Sequence, residues 1–147
     1  MFYNISLMVY RDNANGVHEI LVRYDASQAQ REYCLPSHSL EPGEQPIPSA
    51  QRLGSRSLGI NIPDSALSLK GSVTMETTGR QPKEVRIFVV RSTAEFEALT
   101  QRDEVRGWKH TFIPYSAVRD LWVTPGIAVP RVGVVATLDR ALELLEQ

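Results

Sequence analysis

Cysteine occurs once in these 147 residues, at Cys34, which excludes an internal disulfide and any zinc site built from cysteine. A reducing, cytoplasmic setting is the matching expectation. Long apolar runs are missing: no segment approaches the length needed to span a bilayer, and the stretch from Met1 to Leu7 lacks the basic-then-apolar order of an export signal. No membrane association is expected. Charge of one sign is missing too. Sixteen Lys plus Arg against seventeen Asp plus Glu leave a formal charge of -1, without the clustered basic surface that grips a nucleic-acid backbone. That excludes a general nucleic-acid binder and leaves room for a small phosphorylated ligand. The three histidines, His18, His38 and His110, are scattered, and no pair has the i, i+4 spacing of a helical metal site.

What is present suffices for one folded unit over residues 1–147, since 42% hydrophobic content fills one substantial core at this length. Tyr3, Ile5, Leu7 and Val9 alternate with more polar neighbours, the period of a strand packed mainly on one face. Residues 11–16 read as a turn rich in Asn and Gly, and Val17 to Asp25 as the returning strand, with Ile20, Val22 and Tyr24 on one side and Leu21 and Arg23 on the other. A short extended run, Glu32 to Pro36, holds Cys34, read as a small core residue without a basic neighbour. Helix is expected from Ala50 behind a Ser49 cap, because Pro48 disfavours helix before it. Gly54 weakens that helix, and Gly59 suits its left-handed end.

Leu67 to Thr78 and Glu84 to Arg91 read as a second strand pair, with Val85 to Val90 apolar enough for a strand buried on both faces. Ser92 to Glu95 has capping-box spacing ahead of Phe96 and Leu99. A further strand over Gly107 to Phe112, a brief helix near Ser116 to Leu121 and a closing helix capped by Thr137 complete the chain. Leu138, Ala141, Leu142 and Leu145 give that last helix an apolar stripe. Interleaved strands and helices favour an α/β arrangement with a mixed sheet.

The segment from Leu35 to Ile60 carries the most specific pattern. Glu41-Pro42-Gly43-Glu44 is followed, after seven residues, by Arg52-Leu53-Gly54-Ser55-Arg56-Ser57-Leu58-Gly59-Ile60. This resembles the Nudix box, G-x5-E-x7-R-E-U-x-E-E-x-G-U with U a bulky aliphatic, and its spacing matches without a gap. Glu44, Arg52, Gly59 and Ile60 agree in residue type. His38 stands where the first glycine belongs, Leu53 in place of the glutamate after the arginine, Gly54 in place of the aliphatic, and Arg56 and Ser57 in place of the glutamate pair. Residues 104–109 also resemble the family's late strand. The resemblance implies a Nudix-type α/β/α sandwich, and in active relatives a magnesium- or manganese-dependent hydrolysis of nucleoside-diphosphate derivatives.

Positions 53, 56 and 57 are spaced by three and four residues, which puts them on one face of a regular helix. There the family's carboxylates gather hard cations, which want oxygen ligands. An alkyl group, a guanidinium and a hydroxyl would meet a magnesium ion with repulsion instead. The expectation is a non-hydrolysing domain with no catalytic residue, no metal site and no cofactor. It would bind a phosphorylated small molecule through residues among His38, Glu44, Arg52 and Arg56, or a protein partner or a second copy of itself. Arg52 or Arg56 would hold a phosphate through paired N–H donors; the alternative has Arg56 solvated and Arg52 bracing Glu44. Two further readings stand beside this one: a hydrolase whose metal acids have moved to Glu41, Glu44, Glu76 or Glu84, and an assembly domain. Trp108 and Tyr115 are candidates to stack on a base, and the Val-rich stretch from Trp122 to Val135 is a candidate dimer face.

Overall fold

The computed structural model describes residues 2–75, 81–118, 120–123, 127 and 132–146. Its centre is strand β1, Phe2–Asp12, which turns at Asn13 and returns as β2, His18–Asp25. The Asn13 side chain accepts hydrogen bonds from the backbone of Asn15 and Val17, so the turn is closed by local chemistry. Strand β3, Ser37–Ser39, pairs antiparallel with the start of β1. Strands β4, Ser68–Met75, and β5, Lys83–Arg91, form the second antiparallel pair. Strand β6, Trp108–Pro114, pairs with β2. The order is β4-β5-β1-β2-β6, with β3 joined to β1. Because β1 and β5 run parallel, the sheet is mixed.

Two apolar layers cover the two faces. On one, Ile5, Leu7, Val9 and Leu21 pack with Ala50 and Leu53 of helix α1, Pro46–Leu53, and with Phe96 and Leu99 of helix α2, Ala94–Leu99. On the other, Met8, Ile20, Val22 and Ile87 meet Leu138, Ala141 and Leu144 of helix α3, Val132–Glu146. The result is the α/β/α sandwich. Strand β5 has buried residues on both faces, as expected, with Val85 and Ile87 in one layer and Phe88 and Val90 in the other, while Arg86 and Val89 are half-buried. The β1 strand is less one-sided than its alternation suggests: Ser6 and Met8 are as enclosed as Leu7, because α3 covers the face that a lone hairpin would leave wet.

Four boundaries differ from the sequence reading. Helix α1 begins at Pro46 behind Gln45, without a side-chain cap. Pro46 and Pro48 both fit the first turn, where backbone N–H groups have no intrahelical partner to lose. Ser49 therefore lies inside the helix and is buried. Thr137 lies mid-helix as well; its hydroxyl donates to the Gly133 carbonyl one turn back at 2.9 Å, a bond that removes its need to act as a cap. No side-chain cap closes α2 at Thr93. The run from Glu32 to Pro36 contributes only an isolated bridge, Arg23 to Cys34, with the strand proper beginning at Ser37.

Residues 124–126 and 128–131 lie outside the described residues, and with them half of the stretch read as a dimer face. Among the described residues, no helix is long and apolar enough to cross a membrane.

Candidate ligand-binding site

Helix α1 does not continue regularly through the box. After Leu53 it widens into a π-helical turn, Gly54–Leu58, closed by Gly59 in the left-handed conformation at φ 69°. The Gly59 and Ile60 N–H groups both reach back to the Gly54 carbonyl. Gly54 itself is fixed by crowding: a Cβ there would stand 2.8 Å from Ile62 Cδ1 and 2.9 Å from the Ile60 carbonyl oxygen, so any larger residue must displace backbone. The wider turn corrects the regular-helix expectation for positions 53, 56 and 57. Leu53 is fully buried in the core, Arg56 is exposed, and Ser57 is half-buried; they do not present one face.

Arg52 closes the loop that precedes α1. Its Nε donates to Glu44 Oε2 at 2.9 Å, and Nη2 donates to Glu44 Oε1 at 2.9 Å and to the Ser39 carbonyl at 3.0 Å. Nη1 stands 3.3 Å from Glu41. This fork holds the Glu44 carboxyl down to about 2, chiefly through the Arg52 hydrogen bonds, and the Glu44 side chain is only 15% exposed. A bidentate pair of this kind is both stronger and more directional than a simple ion pair. Arg52 thus spends its donors on the protein. Arg56, three residues into the π turn's open side, has no ion pair among the described residues.

His38 sits in β3, opposite Ile5, half-buried, with Nε2 within hydrogen-bond distance of both the Ser49 carbonyl at 2.9 Å and the Ser49 hydroxyl at 3.0 Å. Burial lowers its pKa, and the Arg52 charge adds to that, with a smaller contribution in the same direction from Arg23. The charged imidazole is thus disfavoured there, chiefly by burial.

The sequence reading did not single out the second of those arginines. Arg23 points to the Leu21 face of β2 and is 6% exposed. Its Nη2 donates to the Ser37 carbonyl at 2.9 Å, and the guanidinium lies 4.2 Å from the centroid of the Trp108 ring. Across the ladder on β6 stands His110, 5% exposed and the direct partner of Arg23 in register. Burial, with Arg23 adding to it, pushes His110 down to about 4. On the other side of Arg23 lies its bridge partner Cys34; burial lowers the guanidinium's pKa and Cys34 only partly offsets this, so Cys34 does have a basic neighbour. A faint signal for this row existed: an arginine in the middle of the apolar string Ile20-Leu21-Val22-Arg23 must be buried by its neighbours or break the strand.

The acids proposed as relocated metal ligands are dispersed. Glu41 and Glu44 both serve Arg52, and Glu84 pairs with Arg86 at 3.0 Å; Glu76 lies outside the described residues. Among the described residues no group of three or more His, Cys, Asp or Glu side chains comes together in a way that could hold a metal ion. Leu53, Arg56 and Ser57 offer a divalent cation no carboxylate, so this helix does not fit the metal that the Nudix box would supply. Tyr115 packs on His18, ring centroids 5.9 Å apart, away from this row.

No protein-family model matches the chain, and no curated protein matches it. Solved structures do. A mutT/nudix family protein from Listeria innocua superposes with a TM-score of 0.67 at 15% identity, over 99% of this chain and 94% of its own. An Ap4A hydrolase binary complex from C. elegans gives 0.60 at 17%, over 99% and 98%. The Nudix domain of Shewanella oneidensis NrtR, solved with ADP-ribose, gives 0.61 at 10%, over 97% and 87%. The chain has the Nudix fold.

Proposed function

We propose that this Nudix-fold domain binds a nucleotide-like or otherwise phosphorylated small molecule without cleaving it. The observation that carries the proposal is the side-chain set on the box helix. Leu53 is drawn into the core, Arg56 faces solvent without a partner among the described residues, and Ser57 brings a hydroxyl, where hydrolysis in this fold calls for carboxylates around a cation. A guanidinium binds a phosphate without any metal. Arg56 and His38 then face the ligand, while Arg52 and Glu44 hold the loop in shape. The ADP-ribose complex of a similar Nudix domain supports this ligand class.

Melting temperatures measured with nucleotides, dinucleotides and ADP-ribose, with and without magnesium or manganese, alongside a phosphate-release assay, test the reading. Stabilisation without turnover is the expected result. Turnover that stops on chelation would favour the hydrolase reading with relocated acids. No stabilisation by any phosphorylated compound would overturn ligand binding and leave an assembly role with a protein partner or a second copy.

A further inference from the structure

Three buried polar atoms with no hydrogen-bond partner among the described residues lie side by side: Arg23 Nε, His110 Nδ1 and His110 Nε2. A cation and an imidazole shielded from water and left short of partners are costly, and no described carboxylate forms an ion pair with Arg23. Neighbouring charge makes the deficit worse, because the Arg23 charge acts on both His110 and His38. All three side chains stand on the face of the sheet that carries α1, as the pairing of Leu21 with Phe112 and of Ile5 with His38 requires. The half-buried Trp108 ring stacks on the guanidinium, with Cys34 also against it as the bridge partner. Stacking of this kind is weaker than a charge-assisted hydrogen bond, so a better partner can replace it.

We infer that Arg23 and His110 form a binding site for the phosphate group of the ligand, opened when Trp108 turns away from the guanidinium. Arg23 supplies charge and the free Nε–H. His110, neutral in the empty protein, donates through one ring nitrogen. Trp108, once displaced, is placed to lie against the ligand. This assignment rests on the proposed binding of a phosphorylated molecule and adds a second place where its anionic end is held: on the sheet, beside Arg56 of the box helix.

The test uses the full chain carrying Trp122→Phe, so that Trp108 alone reports fluorescence, titrated with inorganic pyrophosphate, ADP-ribose and, as the carboxylate control, citrate at matched ionic strength. Pyrophosphate and ADP-ribose are expected to change the Trp108 emission and raise the melting temperature, and citrate to do neither. Arg23→Met is expected to weaken pyrophosphate binding by about tenfold or more while melting no lower than the parent without ligand, since it removes an uncompensated buried charge. His110→Phe is expected to weaken binding without loss of fold, and it carries the test if Arg23→Met does not fold. ADP-ribose binding that is undiminished in both variants would overturn this site while leaving the proposed function standing. Pyrophosphate and ADP-ribose that bind the parent without altering Trp108 emission, or citrate that binds as well as they do, would also overturn it. No binding of any phosphorylated compound by the parent would overturn both.

Discussion

Arg52 and Arg23 are two arginines on the same side of one sheet, and their circumstances are opposite. Arg52 lies near the surface with its side chain 18% exposed, yet it is engaged by two carboxylates and a carbonyl. Arg23 is buried more deeply, holds one carbonyl and an aromatic face beside Cys34, and leaves Nε without a partner among the described residues. A folded chain satisfies its own polar groups where their job is architecture. Arg52 accordingly reads as part of the frame that shapes the loop. Arg23, with His110 beside it, reads as a place where the frame is incomplete.

The largest test of this contrast is Leu53→Glu, which restores the family's acid next to Arg52. In a regular helix facing solvent the change would be mild and would add a metal ligand. Leu53 is fully buried, so the carboxylate would enter the core unpaired. Destabilisation on the order of 4 kcal/mol or failure to fold is expected, with no gain of magnesium binding. Urea unfolding monitored by circular dichroism measures it, and a stable variant that binds magnesium would end the distinction between frame and site.

Acid titration separates the two regions. His110 has its pKa lowered from 6.5 to about 4, so between those values the unfolded chain binds the extra proton. Stability falls as pH drops through that window, by roughly 3 kcal/mol at most, and His110→Asn should flatten the slope there. Glu44 is lowered from 4.5 to about 2. Its contribution is complete above the ordinary carboxylate value and is lost only as pH falls toward 2. Denaturant midpoints at a series of pH values should therefore show two successive losses, that of His110 before that of Glu44.

The smallest expected effect belongs to Glu44→Gln, which keeps the shape of the brace and removes its charge. About 1 kcal/mol is expected, since solvent at Glu41 and the outer edge of Arg52 screens the pair. A loss as large as that of Leu53→Glu would mean the brace, not the core, organises the loop.

Much of the fold was legible because it rests on periodicity. The β1–β2 hairpin, the paired β4 and β5, and the inward Phe96 and Leu99 all follow from apolar spacing that tertiary packing then obeys. The misread boundaries involve residues with two uses: Ser49 and Thr137 make good caps, but a hydroxyl can also bond inside a helix. The box showed its altered chemistry in sequence, while its π turn was hidden, because counting residues assumes a constant angle per residue. Arg23 and His110 are 87 positions apart (110 minus 23) and meet only through the β2–β6 register, which no local pattern reveals.

The parallel pairing of β1 with β5 has a consequence in time. Strand β1 is central to the sheet, yet its neighbour Lys83–Arg91 is made only after the whole box segment. Contacts so distant along the chain form slowly, and until they do, β1 exposes an unpaired apolar edge. Synthesis that pauses before residue 91 should therefore leave a species prone to aggregate, so that supply of this protein depends as much on the pace of its making as on its final stability.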